Sequence, residues 1–356
     1  MKRVGIMTSG GDCSGLNAVL EGAVKAADRR GYEVVGFSRG WEGILSPSDY
    51  RRLTVADVNG ISALGGTILK TTNKGRFGAK LGAGGVRAIP DDILTEARDN
   101  LVALGIDALI VIGGDGSLSS ALQLAELGVN IVGVPKTIDN DLSATDRTFG
   151  FSSAVQVAVE AIDRIRTTAA SHDRVMLIET MGRHAGWIAL RSGLAGLADA
   201  ILLPEFPFRL VDFVEFLDDH QARNGCTIVV VAEGAMVEDK MVAREEGQGE
   251  VRLGGISNRL MEDIEILAPG RFDLRGAVLG HVQRGGTPNP ADRSLALAYG
   301  AAAIQAVEAG AFNRMVAYQN LKMTTVSIAE AVGTLKNVTP NTLDYLTALE
   351  LGVFIH

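Results

Sequence analysis

The sequence predicts an α/β fold of two doubly wound domains with mainly parallel sheets, and three observations carry that reading. Short apolar runs of strand length alternate with segments of helical periodicity, the pattern that lays helices on both faces of a parallel sheet. Most of these runs end in glycines and polar residues, as strands do where their carboxyl ends carry a ligand site. At 356 residues with 47% hydrophobic side chains, the chain is too long for one small core and too apolar for disorder.

Taken in order, Val4 to Met7 is a buried strand, and Thr8-Ser9-Gly10-Gly11-Asp12-Cys13-Ser14-Gly15 is a glycine loop. Leu16, Val19, Leu20, Ala23, Val24 and Ala27 then mark a helix. Strand, glycine loop and helix together aim backbone N–H groups and the positive end of a helix dipole at a phosphate. Glu33 to Phe37 is a second strand and Gly40-Trp41-Glu42-Gly43 a turn. Gly65 to Arg76 carries Lys70, Lys74 and Arg76, and by composition alone it reads as a solvated loop. Asp107 to Ile112 is a strand that feeds Gly113-Gly114-Asp115-Gly116-Ser117 and a helix through Leu118, Ala121, Leu122 and Ala125, which repeats the first unit.

The run Asn130 to Val134 leads into Pro135-Lys136-Thr137-Ile138-Asp139-Asn140-Asp141. Phe151 to Ala170 is an amphipathic helix, and the strand Arg174 to Glu179 ends in Thr180-Met181-Gly182-Arg183-His184-Ala185-Gly186. Cys226 to Ala232 is a strand that stops at Glu233-Gly234, and the polar stretch from Val237 to Leu253 reads as a solvated, mobile loop. Arg275 to Gly286 supplies the last strand and loop of dense chemistry. A helix from Asp292 to Ala309, a short strand from Met315 to Tyr318 and two weaker helical segments follow.

A balance of 34 Lys and Arg against 42 Asp and Glu gives a net charge of -8, which argues against a nucleic-acid or membrane surface. Any anionic ligand must therefore be held by local cations. The N-terminal apolar run is too short for a signal peptide, and the apolar region from Leu194 to Leu203 is broken by Asp199, so a cytoplasmic location is expected. Cys13 and Cys226 form no CxxC pair and read as reduced thiols.

In the loop after Val134, Asp139 and Asp141 stand at alternate positions, which share a face in an extended segment. Asp139 reads as a base and Asp141 as its electrostatic neighbour. Glycine loops suit a polyphosphate, and the cations among the strand-end loops suit an anionic substrate. The residues by themselves therefore point to a phosphoryl transferase.

Thr8-Ser9-Gly10-Gly11-Asp12, Gly113 to Ser117, Pro135 to Asp141, Glu179 to Trp187, and Leu279-Gly280-His281-Val282-Gln283-Arg284-Gly285-Gly286 together resemble the 6-phosphofructokinase family. The resemblance is ordered and covers most of the chain. It implies transfer of a phosphoryl group to the 1-hydroxyl of fructose 6-phosphate, with Mg²⁺. Asp139 matches the proton acceptor, Thr137 a residue that holds the transferring group, Arg183 the cation that stabilises it, and Asp115 the Mg²⁺-associated carboxylate. Gly10, Gly11, Lys74, Gly75, Gly114, Gly116 and Ser117 match the donor site. On the sugar side the resemblance implies Met181, Gly182 and Glu233 against the sugar and His281 and Arg284 at its 6-phosphate, with Thr137, Ile138, Asp139, Arg183, Val282 and Gln283 also in the substrate site. Arg174 and Arg275 match arginines that reach across from a neighbouring subunit, so a homo-oligomer with a shared site is implied, as a dimer or a tetramer.

The resemblance also implies domains of 1-150 plus 283-332 for the donor and 151-282 plus 333-356 for fructose 6-phosphate. Asn73, with Lys74 beside it, stands where bacterial allosteric members carry an arginine, and Glu21 stands where they carry an effector-binding arginine. Two positions report on the donor. Gly116 is the small residue of ATP users, since an aspartate there would repel the nucleotide's α-phosphate, whereas Lys136 is typical of pyrophosphate users. The exclusion argument at Gly116 favours ATP, with pyrophosphate as the alternative.

Overall fold

In the computed structural model, the described residues are 2–72, 75–77, 81, 82, 85, 86, 88–238, 240, 241, 243–246 and 250–356. The chain divides into two compact units. The first comprises Met1–Ile138, Leu142–Ser153 and Arg284–Leu335, and the second Asp139–Asp141, Ala154–Gln283 and Lys336–His356. No helix among the described residues is long and apolar enough to cross a membrane.

The sheet of the first unit runs in the order Lys322–Ser327, Arg314–Gln319, Ile131–Thr137, Ala108–Gly113, Arg3–Thr8, Glu33–Phe37, Tyr50–Leu53, with Phe149–Gly150 paired to Ile131–Thr137. Its inner pairs are parallel, and the two outermost strands are antiparallel to their neighbours. Ala108–Gly113 and Ile131–Thr137 are buried along their whole length, which explains the unbroken apolar runs Ala108 to Gly113 and Ile131 to Val134. The helix Leu16–Asp28 packs on Pro290–Glu308, and the nearly continuous burial from Leu16 to Val24 takes in Glu21.

The sheet of the second unit is parallel throughout, in the order Leu274–Val278, Val175–Thr180, Thr227–Ala232, Ala200–Leu202, Phe354–Ile355. Alternate residues of its strands enter different cores. Val175, Leu177, Val229 and Val231 join one, whereas Met176, Ile178, Ile228 and Val230 join the other. Covering both faces leaves no polar alternation to read in the sequence.

Three stretches differ from the sequence expectation. The strand expected to stop at Val134 continues to Thr137, because Lys136 and Thr137 pair with Phe149 and Gly150. The stretch from Val237 to Leu253, expected as a loop, contains short antiparallel ladders between Met236–Val237 and Lys240–Met241 and between Ala243–Glu246 and Glu250–Leu253. Ladder pairing satisfies peptide groups whatever the side chains are, so polar composition does not exclude it. Gly65 to Thr72 is not a solvated loop either. Asn17 donates from its side-chain amide to the Leu64 and Gly65 carbonyls and accepts from the Ile68 N–H, and Leu69 is buried.

Candidate active site

In the first unit, Arg3–Thr8, Ala108–Gly113 and Ile131–Thr137 are adjacent and parallel, so the loops that follow them leave one edge of the sheet. The Gly10 N–H donates to the Thr72 carbonyl at 3.2 Å, and the Thr71 hydroxyl donates to the Gly10 carbonyl at 2.7 Å. Ser117 Oγ donates to Ser9 Oγ at 2.9 Å, which joins the first glycine loop to the second. Lys136 is buried, and its Nζ lies 3.3 Å from where a Cβ on Gly10 would stand. Arg284 Nη1 donates to the Asp12 carbonyl at 3.3 Å and lies over Gly11. Gly10, Gly11, Ser117, Lys136 and Arg284 are thus assembled around one pair of loops.

Gly114 precedes the helix Asp115–Glu126, which Asp115 opens with a half-buried carboxylate in the first turn. Gly116 follows in the same turn, and a Cβ there would meet nothing within 4 Å. Gly75 lies against the Glu42 side chain, and Lys74, like Asn73, lies outside the described residues. Cys13 is buried at the same loop, and burial pushes its thiol up to about 12, so at neutral pH it offers no thiolate.

In the second unit, Thr180 is in register with Ala232, and Glu179 with Val278. Met181 to Arg183, Glu233 and the 3₁₀ turn Gly280–Gln283 therefore follow three neighbouring strand ends. Glu233 Oε1 accepts from the N–H groups of Gly182 at 3.2 Å and Arg183 at 2.9 Å. Burial pushes the Glu233 carboxyl above its usual range, the Arg183 and Gly182 N–H groups oppose that rise, and the charges of Asp139 and Glu179 add to it. Asp139 is itself 5% exposed, so two carboxylates share one low-dielectric region. Arg183 adopts a left-handed backbone and is exposed. His281 and Val282 are exposed, whereas Gln283 is buried.

Not every expected residue joins these clusters. Ile138 is wholly buried against Gly150, so any contact it makes to a ligand runs through its main chain. Arg284 groups with the first unit, and His281 to Gln283 with the second. Arg174 and Arg275 are paired with each other through Asp273, by Arg174 Nε to Oδ2 at 2.8 Å and Arg275 Nη1 to Oδ1 at 2.5 Å. They stand towards the amino ends of their strands, Arg174 just before Val175 and Arg275 level with Met176, away from the ends that carry Met181 and Glu233.

Several contributors had no assigned role in the sequence reading. Thr71 and Thr72 belonged to the stretch read as solvated, and Glu179 lay inside a recognised motif without a function. Glu179 accepts from the Gly255 N–H at 2.8 Å and from the Ser257 N–H and hydroxyl at 3.0 and 2.8 Å, which fixes the start of the helix Ile256–Leu267. Glu205 and Lys336 carried no signal at all, because their partners are far away in sequence.

The chain matches the family described as Phosphofructokinase over residues 3–307. It is 49% identical over 359 residues to a Chloroflexus aggregans protein named ATP-dependent 6-phosphofructokinase, spanning 99% of this chain and 97% of that one. It is 47% identical over 358 residues to the Streptomyces coelicolor pyrophosphate–fructose 6-phosphate 1-phosphotransferase, spanning 99% of each. Among solved structures, phosphofructokinase of Pichia pastoris in the T-state superposes with a TM-score of 0.81 at 32% identity, over 93% of this chain and 35% of that one.

Proposed function

The chain belongs to the phosphofructokinase family, and from that premise we propose that it transfers the terminal phosphoryl group of ATP to the 1-hydroxyl of fructose 6-phosphate, in the cytoplasm. In this reading the proton of the 1-hydroxyl passes to Asp139 and the sugar oxygen bonds to the γ-phosphorus. The bond from that phosphorus to the β,γ-bridging oxygen breaks, releasing ADP. A positioned base contributes about 10²- to 10⁴-fold. Thr137 holds the transferring group, Asp141 supports the loop, and Arg183 stabilises developing charge, a term worth roughly 10²- to 10³-fold.

The donor is assigned to the loops of the first unit, Gly10, Gly11, Gly114, Gly116 and Ser117, with Lys74 and Gly75. The sugar is assigned to Met181, Gly182 and Glu233, and its 6-phosphate to His281 and Arg284. Mg²⁺ fits Asp115, because such ions are held by one or two carboxylates with water and donor phosphates. Among the described residues no group of three or more His, Cys, Asp or Glu forms a protein-only cage. Mg²⁺ would neutralise charge on the transferring phosphates. Arg174 and Arg275 are assigned to the site of a neighbouring copy, a reading supported by their place at the amino ends of their strands.

One observation carries the donor assignment, since relatives named for either donor are almost equally similar. Glycine in a helix costs up to about 1 kcal/mol relative to alanine. At Gly116 neither a positive φ nor a neighbouring atom requires it. The space beside the helix start is therefore open, and a nucleotide's α-phosphate needs such space. Pyrophosphate is the second reading, favoured by Lys136 with its ammonium against Gly10. Initial rates with each donor decide between them: turnover with ATP is expected, and strong activity with pyrophosphate but none with ATP overturns the assignment. Gly116→Asp should suppress ATP use, and intact ATP turnover in that variant refutes the exclusion argument.

A further inference from the structure

We propose that Lys336 is a positioning residue that holds the loop carrying Asp139, as part of a frame built from Trp187, Glu205 and the segment Lys336–Val338. The inference rests on the reading of Asp139 as the base. Lys336 Nζ donates to Asn140 Oδ1 at 3.0 Å, and the Lys336 main-chain N–H donates to the Asp141 carbonyl at 2.8 Å. One residue therefore grips both the side chain and the backbone immediately after Asp139. Asn140 is 5% exposed and left-handed, with φ of 52°, a conformation that Asn tolerates better than most side chains but that still needs support. An ammonium on its amide oxygen is a charge-assisted bond, stronger than a neutral one.

Lys336 is itself held. Trp187 Nε1 donates to the Lys336 carbonyl at 2.6 Å, and the ammonium lies 5.8 Å from the centre of the same indole. Two residues on, the Val338 N–H donates to Glu205 Oε1 at 2.9 Å. The Glu205 carboxylate also takes the Gly186 N–H, at 2.9 and 3.1 Å to its two oxygens. Gly186 caps the helix Trp187–Ala195, which follows the loop of Met181 to Arg183. The frame thus ties the base loop to the loop bearing the transition-state cation, and all its members lie in the second unit. Misplacing a reacting group by about 1 Å costs on the order of 10²-fold.

Steady-state kinetics on Lys336→Met and Asn140→Gly test this, the second variant keeping the left-handed backbone while removing Oδ1. Each should lower kcat about 10- to 100-fold with both KM values within about twofold. Combining them should cost less than the sum of the two single changes, since both remove the Lys336–Asn140 bond. Asp139→Asn is measured alongside. If Asp139→Asn is inactive while Asn140→Gly and Lys336→Met keep wild-type kcat, the positioning role is overturned and the base assignment stands. If Asp139→Asn keeps wild-type kcat, the base assignment fails and the inference with it. Should Lys336→Met not fold, Asn140→Gly decides alone, because it leaves the segment and its anchors in place.

Discussion

At the scale of single residues, a buried charge is informative through what surrounds it. Glu21 is 5% exposed on the helix Leu16–Asp28, at the position where allosteric relatives are expected to carry an arginine. Its carboxylate accepts from Lys25 Nζ at 2.6 Å and from the Ser62 N–H at 2.8 Å. Burial pushes this carboxyl up, but the bonds from Lys25 and Ser62 outweigh it and hold the pKa at about 2. The folded value lies below the unfolded one, so the stabilisation is present above the unfolded pKa and is lost as pH falls towards 2. Glu21→Gln should therefore cost on the order of 1–3 kcal/mol at pH 7, discounted for the half-open Lys25. Denaturant unfolding of both proteins from pH 7 to pH 3 should show that gap closing. A gap that widens in acid contradicts the sign.

Elements pack by the same logic of what a position can hold. The helices Leu16–Asp28 and Pro290–Glu308 approach so closely that a Cβ on Gly300 would collide with the Val19 carbonyl oxygen and the Ala23 nitrogen. Propensity alone makes Gly→Ala in a helix stabilising by about 1 kcal/mol, but overpacking costs roughly 1–3 kcal/mol. Gly300→Ala should accordingly lower the melting temperature, and a rise would mean that the helices can part without cost. This crossing could not be read from the sequence, because glycine and alanine carry no periodic signal of their own. The parallel strands could be, since residues such as Val229 and Ile228 feed opposite cores and leave unbroken apolar runs. Loops such as Met181 to Arg183 and Glu233 were legible for the same topological reason: they follow those strands. Lys336 was not, because its partner Asn140 is 196 positions away and a lysine in a polar segment looks like any solvated charge.

For the molecule as a whole, the decisive fact is where Arg174 and Arg275 sit within one chain. They cluster on Asp273 at the amino ends of their strands, away from the loops assigned to the sugar. Leu274–Val278 is the edge strand of its sheet, with Val278 54% and the nearby helix residue Ile266 78% exposed. An uncovered edge beside large apolar side chains is a surface that chains ordinarily pair or cover. If a second copy covers it and lends its arginines, an active site is the joint product of two chains. Asp139→Asn and the double variant Arg174→Ala/Arg275→Ala should then each be nearly inactive as pure proteins. Mixed oligomers contain sites with an intact Asp139 from one chain and intact arginines from the other. Random one-to-one assembly of dimers should thus restore about a quarter of wild-type turnover, from the half of the dimers that are mixed, each with one complete site. Co-expression with two affinity tags, purification through both to leave only mixed dimers, and a turnover assay measure this directly, and there about half of wild-type turnover is expected. Mixed oligomers that stay as inactive as their parents would place both arginines outside a shared site.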